Sequence, residues 1–377
     1  MMILSLRYFL FLISVTLASV LVARDDDDEK IAYDPAPGKT AYPETLPYRE
    51  LSGVHPTLVL YGPGASSFLM TSYKQNNNDV RDNTMVLDLL TGKPVGILRN
   101  LAMSNSPTFI TDRLALRADG QLLAQHHATS QGIRIIDVKA AKVQRLLPVQ
   151  ASSLVLYFTQ PDRLLAVCTD TGREQATVWE VSTGKELRRF KLPENLETSA
   201  GQLSVRPGGR LLAIPEGDTQ AIGPNHLGLY DLTAGRKLRD LWASNRPTPP
   251  GVRFQAVNFS PDGKELAAIV QLPDRVNAGS TNATLVVWDF TTGKRVTQVA
   301  MERGNRGGLL LSGTEPLQWF PDQQAFLVNQ QFVVNRADGK VIDMIKSESQ
   351  HGVKVLDDRR VFVSLPFNKL GVRVVKR

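Results

Sequence analysis

The residues best suited to contact a partner lie in long polar segments between apolar runs, among them SYKQNNNDVRDN, PEGDTQAIGPNH, QLPDRVNAGSTN, SNRPTPPG and ERGNRGG. Arginine can hold a carboxylate or phosphate through two parallel hydrogen bonds, and amide, imidazole and acidic groups add further polar contacts. The residue types therefore predict a binding rim rather than a reaction centre. We expect it to contain Lys74, Asn76, Arg81, Asp82, Arg173, Glu174, Asn225, His226, Asn245, Arg246, Arg275, Arg303 and Arg306.

The motifs of common catalytic chemistries are missing from the sequence. It contains no Gly-x-Ser-x-Gly elbow, no His-Glu-x-x-His, no Walker loop and no EF-hand loop. The glycine-rich stretch YGPGASSF fits a hairpin turn better than a phosphate cradle. We expect no catalytic residue and no cofactor.

The histidines and the single cysteine do not suggest a metal centre. Only His126 and His127, among five histidines, are adjacent, and neighbours on a strand point to opposite faces. One cysteine, Cys168, excludes an intrachain disulfide and a cysteine-based zinc cluster. It stands in the strand-like stretch RLLAVCTD, so we expect a small buried core residue and no metal site.

The overall charge is basic but evenly spread. The formal net charge is +7 and the pI is about 9.4, yet cations alternate with acids and no basic run of five occurs. A basic stripe or patch is the usual footprint of nucleic-acid binding. We therefore expect no nucleic-acid partner.

The amino-terminal segment is typical of an export signal. Arg7 precedes an uncharged run from Tyr8 to Ala23, which is shorter than the roughly 20 residues of a spanning helix. Residues 1–23 are interpreted as a signal peptide, with a retained membrane anchor over residues 8–23 as the alternative. Residues 24–40 are interpreted as a linker. The protein is expected outside the cytoplasm, in the periplasm or the extracellular space.

Two motifs alternate along the rest of the chain. The first is a turn followed by an apolar strand, as in RADGQLLAQ, RPGGRLLAI and SPDGKELAA. Pro presets φ, Asp bonds its own backbone and Gly accepts positive φ, so Pro-Asp-Gly favours a tight turn between two antiparallel strands. Seven copies of this turn motif are present.

The second motif is a strand, an acid or Asn, a turn and a cation, as in TVWEVSTGK and VVWDFTTGK. A glycine lies four residues after the acid in most copies, although one copy has Ala141 there. The cation five residues after the acid should begin a fourth, outermost strand, because lysine on an edge strand discourages edge-to-edge pairing. These cations are Lys93, Lys142, Lys185, Arg236, Lys294 and Lys340.

Each repeat therefore holds four short strands, and four strands per unit of roughly 40–50 residues is typical of a β-propeller blade. The Trp288-Asp289 pair and its weaker versions Trp179-Glu180, Tyr230-Asp231, Ile136-Asp137 and Leu87-Asp88 resemble the WD-repeat-like and YVTN-type propellers. The resemblance implies an all-β, seven-bladed propeller over residues 41–377. No Gly-His dipeptide precedes any repeat, so the buried His–Asp network of WD repeats is not expected.

The last repeat ends on GVRVVKR, which fits a third strand. The segment from Tyr42 to Val54 belongs to no repeat. We expect it to supply the fourth strand of the last blade, because this pairing closes the ring and removes a free edge.

The alternation of motifs also predicts two unlike faces. The short turns share one face, and the long polar segments share the other, where binding residues usually lie. The leading hypothesis is a non-catalytic exported scaffold, expected to be a monomer, that binds a protein or cell-envelope surface partner. The alternatives are an exported propeller enzyme that uses the axial channel, such as a lactonase-like hydrolase or a cofactor-dependent dehydrogenase, and a scaffold resembling the Tol-type propellers.

Overall fold

The computed structural model describes much of the chain from residue 58 onwards. The described residues are 58–61, 68–73, 83–89, 93–98, 114–127, 132–151, 154–170, 172–194, 196, 203–217, 225–242, 252–273, 281–301, 315–345, 353–365 and 369–375. Their regular structure is entirely β-strand, and within these ranges no helix could span a bilayer. The segment from Tyr42 to Val54 lies outside the described residues.

The strands form antiparallel sheets in which neighbours in sequence are neighbours in space. Sheet 1 consists of β1 (Leu58–Tyr61), β2 (Phe68–Tyr73), β3 (Asn83–Asp88) and β4 (Lys93–Leu98). Sheet 2 consists of β5 (Leu114–Leu116), β6 (Leu122–His127), β7 (Gly132–Asp137) and β8 (Lys142–Pro148). Sheet 3 consists of β9 (Leu154–Gln160), β10 (Arg163–Cys168), β11 (Gln175–Glu180) and β12 (Glu186–Lys191).

The next three sheets repeat this order. Sheet 4 consists of β13 (Ser204–Val205), β14 (Leu211–Glu216), β15 (His226–Asp231) and β16 (Arg236–Trp242). Sheet 5 consists of β17 (Arg253–Phe259), β18 (Glu265–Pro273), β19 (Thr281–Asp289) and β20 (Arg295–Ala300). Sheet 6 consists of β21 (Leu317–Trp319), β22 (Ala325–Val328), β23 (Phe332–Asn335) and β24 (Val341–Met344).

Sheet 7 has three strands in the described residues, β25 (Lys354–Val355), β26 (Arg360–Leu365) and β27 (Lys369–Val374). The stretch GVRVVKR was predicted as a third strand, and β27 confirms this. The prediction of four-stranded antiparallel units is likewise confirmed for sheets 1 to 6.

The turn of the second motif explains why an acid and a glycine recur at fixed spacing. Asp231 Oδ1 accepts hydrogen bonds from the backbone N–H groups of Thr233 (2.8 Å) and Ala234 (2.9 Å), which fixes the turn between β15 and β16. The glycine position then adopts the left-handed conformation, with φ of +66° at Gly235. Ala141, in the copy without glycine, also has a positive φ of 51°, so the turn imposes this backbone whatever the residue.

The cations after these turns are exposed, as predicted. Lys93, Lys142 and Arg236 begin the outermost strands, and Lys185, Lys294 and Lys340 immediately precede them. The acid of the second motif acts locally as well. Asp289 Oδ1 accepts from the backbone N–H of Thr292 at 2.7 Å, while Trp288 beside it is buried in the core.

The core is a series of apolar layers between successive sheets. One layer joins Leu227 and Leu241 of sheet 4 to Phe254 and Trp288 of sheet 5. The opposite face of sheet 4 packs on sheet 3 through Leu212, Ile214 and Tyr230. Because both faces are covered, β14 is buried along its whole length, which accounts for its continuous apolar stretch.

Polar side chains tie each sheet to the next. Arg145 of β8 donates to the carbonyl oxygens of Ser182 (2.6 Å) and Thr183 (2.8 Å) in the outer turn of sheet 3. Arg239 of β16 donates in the same way to Phe290 O in sheet 5. These bonds hold neighbouring sheets in one relative position at their outer strands.

The two ends of the sheets carry unlike connections. At one end, antiparallel neighbours are joined by short turns, such as residues 138–141, 161–162 and 232–235. At the other end, many connections are longer, among them residues 74–82, 99–113, 192–203, 217–225, 243–252 and 301–316, although those at 128–131, 329–331 and 366–368 have only three or four residues. The longest connections therefore all lie at one end, as predicted, but this end carries short connections as well.

Candidate functional site

Four of the predicted rim residues are described. Arg173 is exposed, whereas Glu174, Asn225 and His226 are buried, with 1%, 7% and 5% of their surface accessible. These three side chains are therefore enclosed by other residues, whereas Arg173 faces solvent. The remaining rim residues lie outside the described part of the chain, namely Lys74, Asn76, Arg81, Asp82, Asn245, Arg246, Arg275, Arg303 and Arg306.

Asn225 and His226 belong to a group of polar residues that we call the sheet 4 cluster, which also contains Glu216, Tyr230, Lys237 and Asp240. Strand register brings this cluster together. Across β14, β15 and β16, Glu216 lies opposite His226, Gly228 opposite Asp240, and Tyr230 opposite Lys237. Alternate residues of a strand share one face, so these side chains project to the same side of sheet 4. Tyr230 stacks on Phe190 of β12 with ring centroids 5.9 Å apart, so this face looks towards sheet 3.

Glu216 is the centre of the sheet 4 cluster, and only 2% of its side chain is exposed. Its Oε1 accepts a hydrogen bond from the Tyr230 hydroxyl. Its Oε2 lies 2.6 Å from Lys237 Nζ and 3.2 Å from His226 Nε2. Lys237 Nζ is also 2.6 Å from Asp240 Oδ1, so one ammonium bridges two carboxylates.

Space for the Glu216 carboxylate comes from Gly228. A Cβ at this position would lie 2.1 Å from Glu216 Oε1, closer than two such atoms can approach. A glycine inside a strand often marks a close approach of this kind. The Glu216 carboxylate therefore packs against the backbone of β15 at Gly228, where no side chain blocks it.

The cluster keeps its carboxylate charged. Burial by itself raises the pKa of Glu216, but hydrogen bonds with His226, Lys237 and Tyr230 together outweigh it and hold the pKa below its usual value. Burial likewise lowers the pKa of Lys237, and its bonds to Asp240 and Glu216 bring that pKa above the usual value. Burial and the neighbouring Glu216 raise the pKa of Tyr230, so its hydroxyl stays a donor.

His226 is held in a fixed orientation. Its Nδ1 lies 2.8 Å from Asn225 Oδ1, and its ring stacks on Trp242 with centroids 4.6 Å apart and planes 19° from parallel. Nε2 faces the two carboxylates, 3.2 Å from Glu216 Oε2 and 3.6 Å from Asp240 Oδ1. One nitrogen and two oxygen atoms thus converge where a cation can sit.

Sequence reasoning pointed to Asn225 and His226 and missed the other cluster residues. Glu216, Tyr230, Lys237 and Asp240 belong to three different strands and share no motif. The available signal was an acid at the end of an apolar strand, LLAIPE, beside a glycine within the next strand, HLGLYD.

A second candidate region is a cavity of about 600 Å³ that we call the inner-strand cavity. It is lined by β5, β9, β13, β17, β21 and β25, each the first strand of its sheet, and by the turns that follow them. Lys354 and Glu315 form an ion pair in its wall, with Nζ and Oε2 2.6 Å apart and 5% of the lysine side chain exposed. Its volume is in the range of small-molecule sites.

Other predicted residues take structural positions. Cys168 is buried in the core between sheets 2 and 3, as predicted, and burial raises the pKa of its thiol. His126 is also buried. Neither belongs to the sheet 4 cluster.

Comparisons with known proteins identify the fold. No protein-family model and no curated protein matches the sequence. Among solved structures, the chain is similar to a chain of Kuenenia stuttgartiensis hydrazine synthase, with 14% identity, a TM-score of 0.56, and 90% of this chain and 99% of that chain covered. A chain of the mitotic checkpoint complex matches at 14% identity with a TM-score of 0.53, covering 96% and 100% of the two chains.

Hsv2 from Kluyvelomyces marxianus matches at 10% identity with a TM-score of 0.56, covering 85% of this chain and 96% of that one. Identities this low show the fold alone. The matched chains are β-propellers, and the four-stranded antiparallel sheets agree with them. The chain is therefore an all-β protein with the fold of a β-propeller.

Proposed function

We propose that the protein is an exported, non-catalytic scaffold, a closed seven-bladed propeller that binds a protein partner through the end of the sheets with long connections. The observation that carries the proposal is the unequal length of the connections at the two ends. Long connections on a rigid framework are where binding residues are concentrated in many folds.

The rigidity of the framework supports the proposal. Apolar layers and hydrogen bonds such as those of Arg145 and Arg239 join successive sheets. A binding surface on such a framework loses little conformational entropy when a partner docks. The similar chain from the mitotic checkpoint complex belongs to a protein assembly, which agrees with a scaffold role.

The chemistry of the predicted rim favours an acidic partner surface. It is rich in cations, namely Lys74, Arg81, Arg173, Arg246, Arg275, Arg303 and Arg306. Arginine pairs well with carboxylates, and complementary charge mainly speeds association and sets specificity.

Charge-matched variants test the proposal. The rim variant replaces Arg173, Arg246, Arg275, Arg303 and Arg306 by Ala. The control variant replaces Lys142, Lys185, Arg236, Lys294 and Lys340, at the opposite end of the sheets, by Ala. Tagged proteins are used to capture partners from a native envelope extract, and bound proteins are quantified by mass spectrometry.

We expect one partner to be captured by wild type and control and reduced at least about fivefold in the rim variant. Equal loss in both variants would show a non-specific charge effect and contradict the proposal. Capture that is unchanged in the rim variant would also contradict it.

Export has its own test. The uncharged run after Arg7 supports a signal peptide. Cell fractionation and intact-mass measurement should find the protein outside the cytoplasm, with processing near Ala23. An intact amino terminus in the membrane fraction would favour the anchor, and an intact cytoplasmic protein would refute export.

The inner-strand cavity supports a second candidate function, an enzyme or small-molecule binder that uses the centre of the propeller. Under this alternative, small molecules should raise the melting temperature of wild type. The rise should disappear in Lys354→Met, which alters the cavity wall, and remain in the exposed control Lys142→Met. A screen without any such compound would remove support for this candidate.

A further inference from the structure

We propose that Glu216, His226 and Asp240 form a binding site for a divalent transition-metal ion, and that the ammonium of Lys237 stands in for this ion when the site is free. This inference is independent of the scaffold function. It differs from the expectation of no metal site, because the three ligands come from different strands and become neighbours only in the folded sheet.

The distances fit metal coordination. A tetrahedral ion with bonds of about 2.0–2.1 Å places its ligand atoms about 3.3 Å apart. His226 Nε2 is 3.2 Å from Glu216 Oε2 and 3.6 Å from Asp240 Oδ1. All three candidate ligand atoms lie within 4.8 Å of one another. The two pairs that include the imidazole already match this spacing, and the two carboxylate oxygens would have to approach each other by at most about 1.5 Å.

The surroundings orient the ligands as a metal site requires. Asn225 Oδ1 lies 2.8 Å from Nδ1 of His226 and can accept its N–H in the tautomer that leaves a lone pair on Nε2. Metal-binding histidines generally donate their second ring N–H to an oxygen atom in this way. A metal ion bound to Nε2 would replace the hydrogen bond between Nε2 and Glu216 Oε2. Tyr230 holds Oε1 of Glu216 and leaves Oε2 facing the imidazole.

Two carboxylates that face each other need a positive group between them. In the structure this group is Lys237, whose Nζ is 2.6 Å from both carboxylates. The side chains of Lys237 and Asp240 are 35% and 29% exposed, so the ammonium can turn out to solvent and an ion can enter. A divalent ion would then balance the two carboxylate charges.

The donor set favours particular ions. One imidazole and two carboxylates suit zinc, cobalt, manganese or ferrous iron, whereas calcium and magnesium prefer oxygen ligands alone. Three protein ligands would leave a fourth position for water, as in open zinc sites.

The experiment measures zinc binding to chelator-treated, full-length protein by isothermal titration and cobalt binding by visible absorption. Three variants are compared with wild type. Lys237→Met removes the competing ammonium, His226→Phe keeps a ring against Trp242 but removes the nitrogen ligand, and Lys142→Met is a control on exposed β8.

We expect wild type to bind one zinc ion at this site and Lys237→Met to bind it at least about tenfold more tightly. The control should match wild type, and His226→Phe should lose this binding event. Zinc should raise the melting temperature of Lys237→Met more than that of wild type, because a ligand that binds only the folded state stabilises it. Cobalt should give the visible bands of a tetrahedral or five-coordinate ion.

The acidic run Asp25–Asp28 could also bind ions, but such binding would persist in His226→Phe. The difference between wild type and His226→Phe is therefore the decisive readout. Equal binding by these two proteins would overturn the proposal, and so would no uptake by wild type at about 1 mM zinc. If Lys237→Met does not fold, Asp240→Asn replaces it, and retained binding in that variant would equally overturn the site.

Discussion

Glu216 shows how a buried charge is kept in this protein. The carboxylate gives up contact with water but accepts hydrogen bonds from Tyr230 and Lys237. Removing one member of such a group costs stability, because the remaining members stay buried without their partner.

We therefore expect Glu216→Gln to reduce the free energy of unfolding by about 2–3 kcal/mol. The control is Glu186→Gln, which breaks the solvent-exposed pair with Arg189 and should cost less than about 1 kcal/mol. Urea unfolding of both variants measures the difference. Equal losses of unfolding free energy would show that the buried bonds of Glu216 stabilise the fold no more than an exposed ion pair does.

Asp357 gives a prediction about pH. Burial alone raises the pKa of Asp357, but Arg360 Nε at 2.6 Å and the backbone N–H of Arg359 at 2.9 Å outweigh it and lower the pKa below 3.8. A carboxyl whose pKa is lower in the folded state stabilises the fold above its unfolded pKa. That contribution is lost as the pH falls through the folded value.

We expect wild type to be more stable than Asp357→Asn by a constant amount from pH 7 to about pH 5. The difference should shrink below 3.8, the unperturbed pKa of the carboxyl. Urea titrations across this pH range measure it. A difference that stays unchanged down to the lowest pH at which wild type remains folded would contradict the assignment.

At the scale of elements, the short turns have two roles. They reverse the chain between strands, and some of them also contact the neighbouring sheet. Gly208 and Gly209 allow the two roles to be compared. Both lie in the turn between β13 and β14 and both have a positive φ, of 89° and 72°. A Cβ on Gly208 would meet no atom within 4 Å, whereas one on Gly209 would lie 2.2 Å from Thr159 O of sheet 3.

We expect Gly208→Ala to cost about 1 kcal/mol, the conformational penalty of positive φ alone. Gly209→Ala should cost about 3 kcal/mol or more, because a backbone carbonyl of the neighbouring sheet must move. The two unfolding free energies, measured in urea, give the comparison. Similar losses would mean that sheets 3 and 4 are not in close contact at this turn.

At the scale of the whole molecule, ring closure is the open structural proposal. Sheet 7 has one strand fewer than the other sheets in the described residues, and the segment from Tyr42 to Val54 was predicted to complete it. A strand that closes a ring removes an exposed edge and links the two ends of the fold.

Two truncations test closure. Deletion of residues 1–40 removes the predicted leader and linker and should leave the melting temperature unchanged. Deletion of residues 1–54 also removes the predicted closing strand and should lower the melting temperature by several degrees. Each 1 kcal/mol of lost stability lowers the melting temperature of a domain of this size by about 2–4 °C or less, and the loss of a closing strand should cost more than that amount. Equal melting temperatures for the two truncations would refute closure by this segment.

Much of the fold could be predicted because its signals are local. Pro-Asp-Gly and Thr-Gly-Lys turns set where each hairpin reverses, and the alternation of the two motifs gave four strands per sheet. The exposed cations at the start of the outer strands followed from the same motifs. These features depend on backbone preferences within a few residues and on apolar runs.

The sheet 4 cluster could not be predicted in the same way. Glu216, His226 and Asp240 are neighbours only because β14, β15 and β16 pair in one register and because Gly228 leaves space between them. The burial of Asn225 and His226 also depended on the face of sheet 4 that packs against sheet 3. The sequence by itself thus determined the repeated strands and turns, since each is specified by turn residues and apolar runs within its own short segment. Only the tertiary structure decided which distant polar side chains converge, since pairing register and packing between sheets depend on the whole chain.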